Sequence, residues 1–171
     1  MIPKIERFLY ATDLSKNSAY AFRYAVNSAE NHDAQIHILH VLERIPPSAE
    51  ALARNFVGGK KLEHLYEAGR TEVLEKIRKR LEEFCQKELE GKPECMERVA
   101  SRQVVEGFPA AAILHKAKEL KADLVIMGTH GKGWLSHAFL GSVAESVLQR
   151  IKTPVFIIPL PEKMDSGSGE L

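Results

Sequence analysis

Cysteine is scarce in this chain of 171 residues. Cys85 and Cys95 are the only two, and they do not form a CxxC pair, so a disulfide framework is not expected and both read as free thiols without a chemical role. An excess of either charge is also missing. The 24 Lys and Arg against 23 Asp and Glu leave a net charge of +1, which excludes the strong global basicity of a dedicated nucleic-acid binder. No apolar run approaches the roughly 18–20 residues of a membrane span. The opening residues, Met1 to Arg7, lack the apolar core of a secretory leader and carry Glu6. The expectation is a soluble cytoplasmic protein. The one tryptophan, Trp134, reads as a packing or interface residue rather than a base-stacking platform. With 44% apolar and 27% charged residues, the chain has the composition and length of one globular domain with one sizeable core. That domain is expected over residues 1–160, followed by a disordered, Gly- and Ser-rich tail over 161–171.

Strand-like and helix-like patterns alternate along the chain, with no internal repeat. Arg7 to Thr12 is a short apolar run ended by the turn and helix-start signal Asp13-Leu14-Ser15. Ala19, Phe22, Val26 and Ala29 then recur at helical spacing over Lys16 to Asn31. Gln35 to Leu42 is a second strand, on which His37 and His40 point to opposite faces and so do not chelate one ion. Residues 43–60 are irregular, bracketed by Pro46-Pro47 and Gly58-Gly59; a loop of this length is often functional. A long helix follows from about Leu62 to Leu89. Its buried stripe is Leu62, Leu65, Tyr66, Val73, Ile77, Leu81 and Phe84, and the pairs Glu72/Lys76, Glu75/Lys79 and Glu83/Lys87 mark a solvated face. Gly91 and Pro93 end it. Arg98 to Val105 is a third strand, more polar and hence nearer an edge. A helix with Pro109 in its first turn, the apolar strand Ala122 to Met127, a Gly-rich loop, a helix over Ser142 to Arg150 and a fifth strand over Thr153 to Pro159 complete the order. Five strands joined by four helical crossovers make an α/β, doubly wound three-layer sandwich on a five-stranded parallel sheet. Ligands of such sheets sit beyond the carboxyl ends of the strands, which points to the loops after Ala11, Val41, Val105 and Met127.

One of those loops carries chemistry. From Met127 to Ser142 the glycines fall at Gly128, Gly131, Gly133 and Gly141, the last followed by Ser142. Glycine lets the backbone approach a ligand closely. A helix starting at Gly141-Ser142 offers free amides and the positive end of its dipole, and the Ser142 hydroxyl can cap that helix and donate to a phosphate. His130 or Lys132 adds positive charge. The segment is neither a Walker A loop nor the dinucleotide fingerprint after a first strand. No metal site is expected, because His130 and His137 have no carboxylate or thiol beside them. Ser142 lacks the elbow and the base of a nucleophile.

The spacing Gly-x2-Gly-x9-Gly-Ser resembles that of the ATP-binding branch of the universal stress protein family. The similarity extends over about residues 4 to 160. It includes Ala11-Thr12-Asp13, His40-Val41, Glu106-Gly107-x-Pro109-Ala110, Asp123 to Gly128 and Thr153-Pro154-Val155. The resemblance implies an adenine nucleotide alpha hydrolase-like fold and a stress-response regulatory module that binds ATP. Asp13 would accept from the ribose hydroxyls, the Val41 backbone would meet the adenine edge, and Ala11 and Thr12 would line the same pocket, with Met127 beside them. Gly128 would lie against the ribose, and His130, Gly131, Gly141, Ser142 and Val143 would surround the phosphates. Mg²⁺ would be the ion accompanying the triphosphate. A homodimer joined through the last strand, Val155, Phe156, Ile157 and Ile158, is also implied, together with a protein partner of unknown identity. A catalytic residue is not expected. Phosphoryl transfer needs a positioned nucleophile, and His130 is the only candidate base near the phosphates, so hydrolysis would be slow at most. Two other readings stay open: a nucleotide-free dimeric adaptor, and an adenylyl-transferring enzyme, although the His-x-Gly-His and Ser-Gly-Gly-x-Asp-Ser motifs of such enzymes are missing. The stretch 43–60 matches no motif, which leaves a partner or lid role open there.

Overall fold

The computed structural model describes residues 2–44, 59–129 and 140–159, with the backbone only for Lys16 and residues 59–68. The first strand, β1 (Arg7–Thr12), buries Phe8, Leu9 and Tyr10 completely, because both of its faces are covered. It turns through Asp13-Leu14-Ser15 into α1 (Lys16–His32), where the Ser15 hydroxyl caps the helix by accepting from the Ser18 amide at 3.2 Å. Asp33 closes α1 in the left-handed conformation at φ 52°. Then follow β2 (Gln35–Glu43), α2 (Gly59–Glu88), α3 (Pro93–Glu97), β3 (Val99–Gly107), α4 (Pro109–Glu119), β4 (Leu124–Gly128), α5 (Ser142–Leu148) and β5 (Val155–Ile158).

All neighbouring strands pair in parallel, in the order β3-β2-β1-β4-β5. The polar strand β3 is an edge, as its composition predicts. The described residues hold five helices where the sequence pattern predicts four. The addition is the single turn α3. Gly91 (φ 76°) and Pro93 do stop α2, but Pro93 also suits a first helical position, and Cys95 gains a buried site in the core by that turn.

Two apolar layers flank the sheet. On one face Phe8, Tyr10, Ile36 and Ile38 pack against Phe22, Ala25 and Ala29 of α1, against Leu81 and Cys85 of α2 and against Leu89 just beyond its end. On the other, Leu9, Leu39 and Val125 meet Ile113 and Ala117 of α4 and Ala144 and Val147 of α5. The stripe expected on α2 is only partly used. Ile77, Leu81 and Phe84 pack, whereas Val73 is 43% exposed; the side chains of Leu62, Leu65 and Tyr66 lie outside the described ones. The reason is length: a 30-residue helix runs about 45 Å, whereas the nine-residue strands β2 and β3 reach about 30 Å, so α2 overshoots the sheet. On its wet face Glu72 pairs with Lys76 at 2.6 Å as expected, but Glu75 pairs with Arg78, and Lys79 turns to Glu83 at 3.8 Å.

The winding fixes where a ligand can sit. From β1 to β3 the chain steps outward with α1 and α2 on one face; it then returns to the free side of β1 to form β4 and β5 with α4 and α5 on the other. The direction reverses between β1 and β4, and in such sheets that reversal places a crevice at the carboxyl ends of the two strands.

Candidate functional site: the cleft at the switch point

The turn after β1 is a dense polar network. The Thr12 hydroxyl donates to Ser18 Oγ at 3.0 Å and accepts from the Leu14 amide at 3.0 Å. Ser18 Oγ in turn donates to the Ser15 carbonyl at 2.9 Å. Asp13 Oδ1 accepts from the Ser15 amide at 3.0 Å and from the Ser15 hydroxyl at 2.6 Å. Its other oxygen, Oδ2, is buried and has no hydrogen-bond partner among the described residues. An acceptor-only atom left in this way carries a desolvation cost that a ligand donor would offset. His40, 6% exposed and paired in register with Thr12 at the end of β1, holds the turn from the neighbouring strand. Its Nδ1 lies 2.8 Å from the Thr12 carbonyl, and because a carbonyl only accepts, Nδ1 carries the proton.

Across the crevice, the Thr129 amide donates to the Ile158 carbonyl at 3.0 Å, and the Gly141 amide donates to the Thr129 carbonyl at 2.7 Å. The Thr129–Gly141 bond brings the end of β4 and the start of α5 together despite their separation in sequence. Gly141 is the N-cap of α5, with extended backbone and no side-chain capping bond, and the first helical bond runs from the Glu145 amide to the Gly141 carbonyl at 2.9 Å. Ser142 thus occupies the first helical position rather than the cap. Its hydroxyl does not close the helix, because the extended Gly141 backbone already satisfies the cap geometry.

Between these walls lies a cavity of about 650 Å³. Nine residues singled out from the sequence line it: Ala11, Thr12 and Asp13 from the first strand and its turn, Val41 from the second, Met127 and Gly128 from the fourth, and Gly141, Ser142 and Val143. His130 and Gly131, the other two, lie outside the described residues, as do Trp134, most of the 43–60 stretch and the tail. The cavity also takes in side chains that sequence reasoning missed as site residues. His40 and Leu39 were hidden in the alternation of β2. Ile77 and Arg80 come from α2, far away in sequence, and only the fold brings them to the Asp13 turn.

His37 and His40 do face opposite sides of β2. His37 Nδ1 is 2.8 Å from Ser101 Oγ, and burial, with the nearby Arg7 and Lys116 charges, holds its pKa below the usual value. Among the described residues no group of three or more His, Cys, Asp or Glu side chains converges as a metal site would need. Nor is any described helix long and apolar enough to cross a membrane. Beside the cleft, Glu106 of β3 pairs with Arg44 at 3.5 Å and Arg70 at 2.5 Å, tying the end of β2 and the body of α2 to the edge strand.

A five-stranded parallel sheet whose strand order reverses beside β1, with a partly polar cleft at that reversal, defines a doubly wound α/β protein with a candidate ligand site at the switch point. More narrowly, the chain belongs to the universal stress protein family, whose family model matches residues 4–159. It is 30% identical over 164 residues to Universal stress protein MJ0531 of Methanocaldococcus jannaschii, an alignment covering 92% of this chain and 84% of that protein. To Universal stress protein YxiE of Bacillus subtilis it is 32% identical over 153 residues, covering 89% and 97%. Solved structures agree in fold. That of MJ0577 superposes with a TM-score of 0.72 at 21% identity, covering 94% of this chain and 99% of that one. A universal stress protein in complex with cAMP gives 0.55 at 23% identity, covering 92% and 98%.

Proposed function

We propose that the chain binds ATP in the switch-point cleft and works as a nucleotide-dependent regulatory module in the cytoplasm. The observation that carries this reading is Asp13 at the cleft wall, whose Oδ2 has no hydrogen-bond partner among the described residues: a pair of ribose hydroxyls would supply donors to it. With the ribose there and against Gly128, the adenine edge reaches the Val41 backbone, between Ala11, Thr12 and Met127. The phosphates extend to the first turn of α5, to the amides of Ser142 and Val143, which precede the first helical bond; His130 and Gly131 complete that cradle in the proposal. The Gly141 amide is already given to the Thr129 carbonyl, so Gly141 contributes close approach rather than a donor. Mg²⁺ would travel with the triphosphate, held by phosphate oxygens and water. Hydrolysis is slow at most in this reading, because phosphoryl transfer needs a positioned nucleophile and the sequence offers only His130 as a candidate base near the proposed phosphates. The family relationship and the cAMP complex of a fold neighbour support a nucleotide ligand of this class. We further propose that two copies join through β5, since an apolar edge strand with Phe156 at 44% exposure needs a cover. A protein partner completes the module, without nucleic acid or membrane.

The test combines mass analysis of ligand released from freshly purified protein with calorimetric titration of ATP, and of cAMP as competitor. Asp13→Asn removes the free acceptor and is expected to weaken ATP binding roughly tenfold, the weight of a hydrogen bond to a charged group. Absence of binding at millimolar ATP sinks the reading and favours the nucleotide-free adaptor. Rapid multiple-turnover hydrolysis, lost in His130→Ala, would overturn the non-catalytic part alone.

A further inference from the structure

Three non-glycine residues among those described have positive φ: Leu14 (60°), Asp33 (52°) and Lys121 (49°). Asp33 and Lys121 follow helices, where a left-handed residue is a common stop. Leu14 is different. It lies between a strand and a helix, it is apolar and only 8% exposed, and its immediate neighbour is Asp13. A side chain in that region persists only where its surroundings over-determine it.

The restraints are visible. The Leu14 amide is held locally by Thr12 Oγ1, and the Asp13 carboxylate locally by Ser15. The Leu14 carbonyl is held from 66 residues away: Arg80 Nη2 of α2 donates to it at 3.5 Å. Arg70, Lys76, Arg78 and Lys79 of the same helix each pair with a carboxylate, whereas Arg80 forms no ion pair among the described residues and lines the cleft. It comes from the α1/α2 layer, and the glycines and α5 come from the other side of the crevice. Its guanidinium therefore meets the ribose-side wall rather than the phosphate-side wall.

We propose that Arg80 is a positioning residue: by donating to the Leu14 carbonyl it fixes the left-handed turn next to Asp13 at the cleft wall, and so sets how strongly the site selects for ribose hydroxyls. This rests on the nucleotide reading above. Its contact is long, and such bonds in ligand-free sites tighten when the complex forms. Arg80 then links α2 to the ribose anchor without touching the ligand.

The experiment measures dissociation constants of ATP and of 2′,3′-dideoxyadenosine triphosphate for the wild-type chain, Asp13→Asn, Arg80→Gln, Arg80→Lys and the double variant Asp13→Asn/Arg80→Gln. The wild type is expected to prefer ATP roughly tenfold, the weight of the Asp13 bonds. Arg80→Gln should collapse that preference towards unity while binding the dideoxy nucleotide as the wild type does. Arg80→Lys, a charged donor of nearly the same reach where the Gln amide falls short of the Leu14 carbonyl, should restore most of it, and the double variant should be no worse than Asp13→Asn alone. Two results overturn the proposal: equal weakening of both nucleotides by Arg80→Gln, which makes Arg80 a direct phosphate contact, and an unchanged preference in that variant. A wild-type chain that binds neither nucleotide overturns the nucleotide reading, and this proposal with it; loss of preference in Asp13→Asn but not in Arg80→Gln overturns the role of Arg80 alone.

Discussion

Polar side chains buried in β2 and in the turn after β1 govern the chemistry at the residue scale. His37 is held neutral by burial, reinforced by Arg7 and Lys116, so its folded pKa lies below the unfolded value of 6.5. Between those two values the unfolded chain binds more protons, and stability rises with pH. The contribution is complete above about pH 6.5 and is lost as pH falls through the folded value. His37→Gln keeps a partner for Ser101 Oγ without titrating. The melting temperature of the wild type should therefore drop more between pH 7 and pH 5 than that of the variant, and parallel curves would refute the assignment. Ser15 works in two directions, accepting from the Ser18 amide and donating to Asp13 Oδ1. Ser15→Ala should destabilise the fold by about 1 kcal/mol in denaturant unfolding, the usual cost of a lost helix cap. Asp13 was legible from the sequence because Asp-x-Ser before a helical pattern is a local signal. Arg80 was not, because nothing within its own helix marks one of several surface cations as the one that meets a distant carbonyl.

At the element scale, strand and helix identities followed from periodicity and their ends from capping chemistry. Departures arose where neighbours decide. α3 forms because a turn buries Cys95, and Val73 is exposed because α2 is longer than the sheet it covers. The ion pairs of α2 rearranged because i,i+3 and i,i+4 partners compete on similar terms. β5 is the element whose surroundings matter most for assembly. Its four residues are apolar, and Phe156 faces outward. Phe156→Asp should convert a dimer into a monomer in light scattering with the fold intact by circular dichroism. A wild-type chain that is already monomeric at micromolar concentration would remove the proposed interface.

On the scale of the whole molecule, the three-layer cover explains why both thiols are inert. Cys85 and Cys95 sit in the layer beneath α1 and α2, and burial pushes the Cys85 thiol up to about 11 and raises Cys95 as well. The folded chain at pH 8 should resist an aromatic disulfide reagent and release both thiols only in denaturant; fast reaction of the native protein would contradict this packing. The same cover makes the ends of the strands the place where a polar cleft can open. By itself the sequence determined the parallel α/β sandwich, the strand at the polar edge and the glycine-serine loop, because alternation, helical spacing and turn chemistry are written locally. Only the tertiary structure decided that Ala11, Asp13, Val41, Gly128 and Gly141 share one cavity, that one Asp13 oxygen is left without a partner among the described residues, and that His40 and Arg80 hold its turn. Those facts depend on crossovers and layer order, which bring residues together across distances over which no local pattern acts.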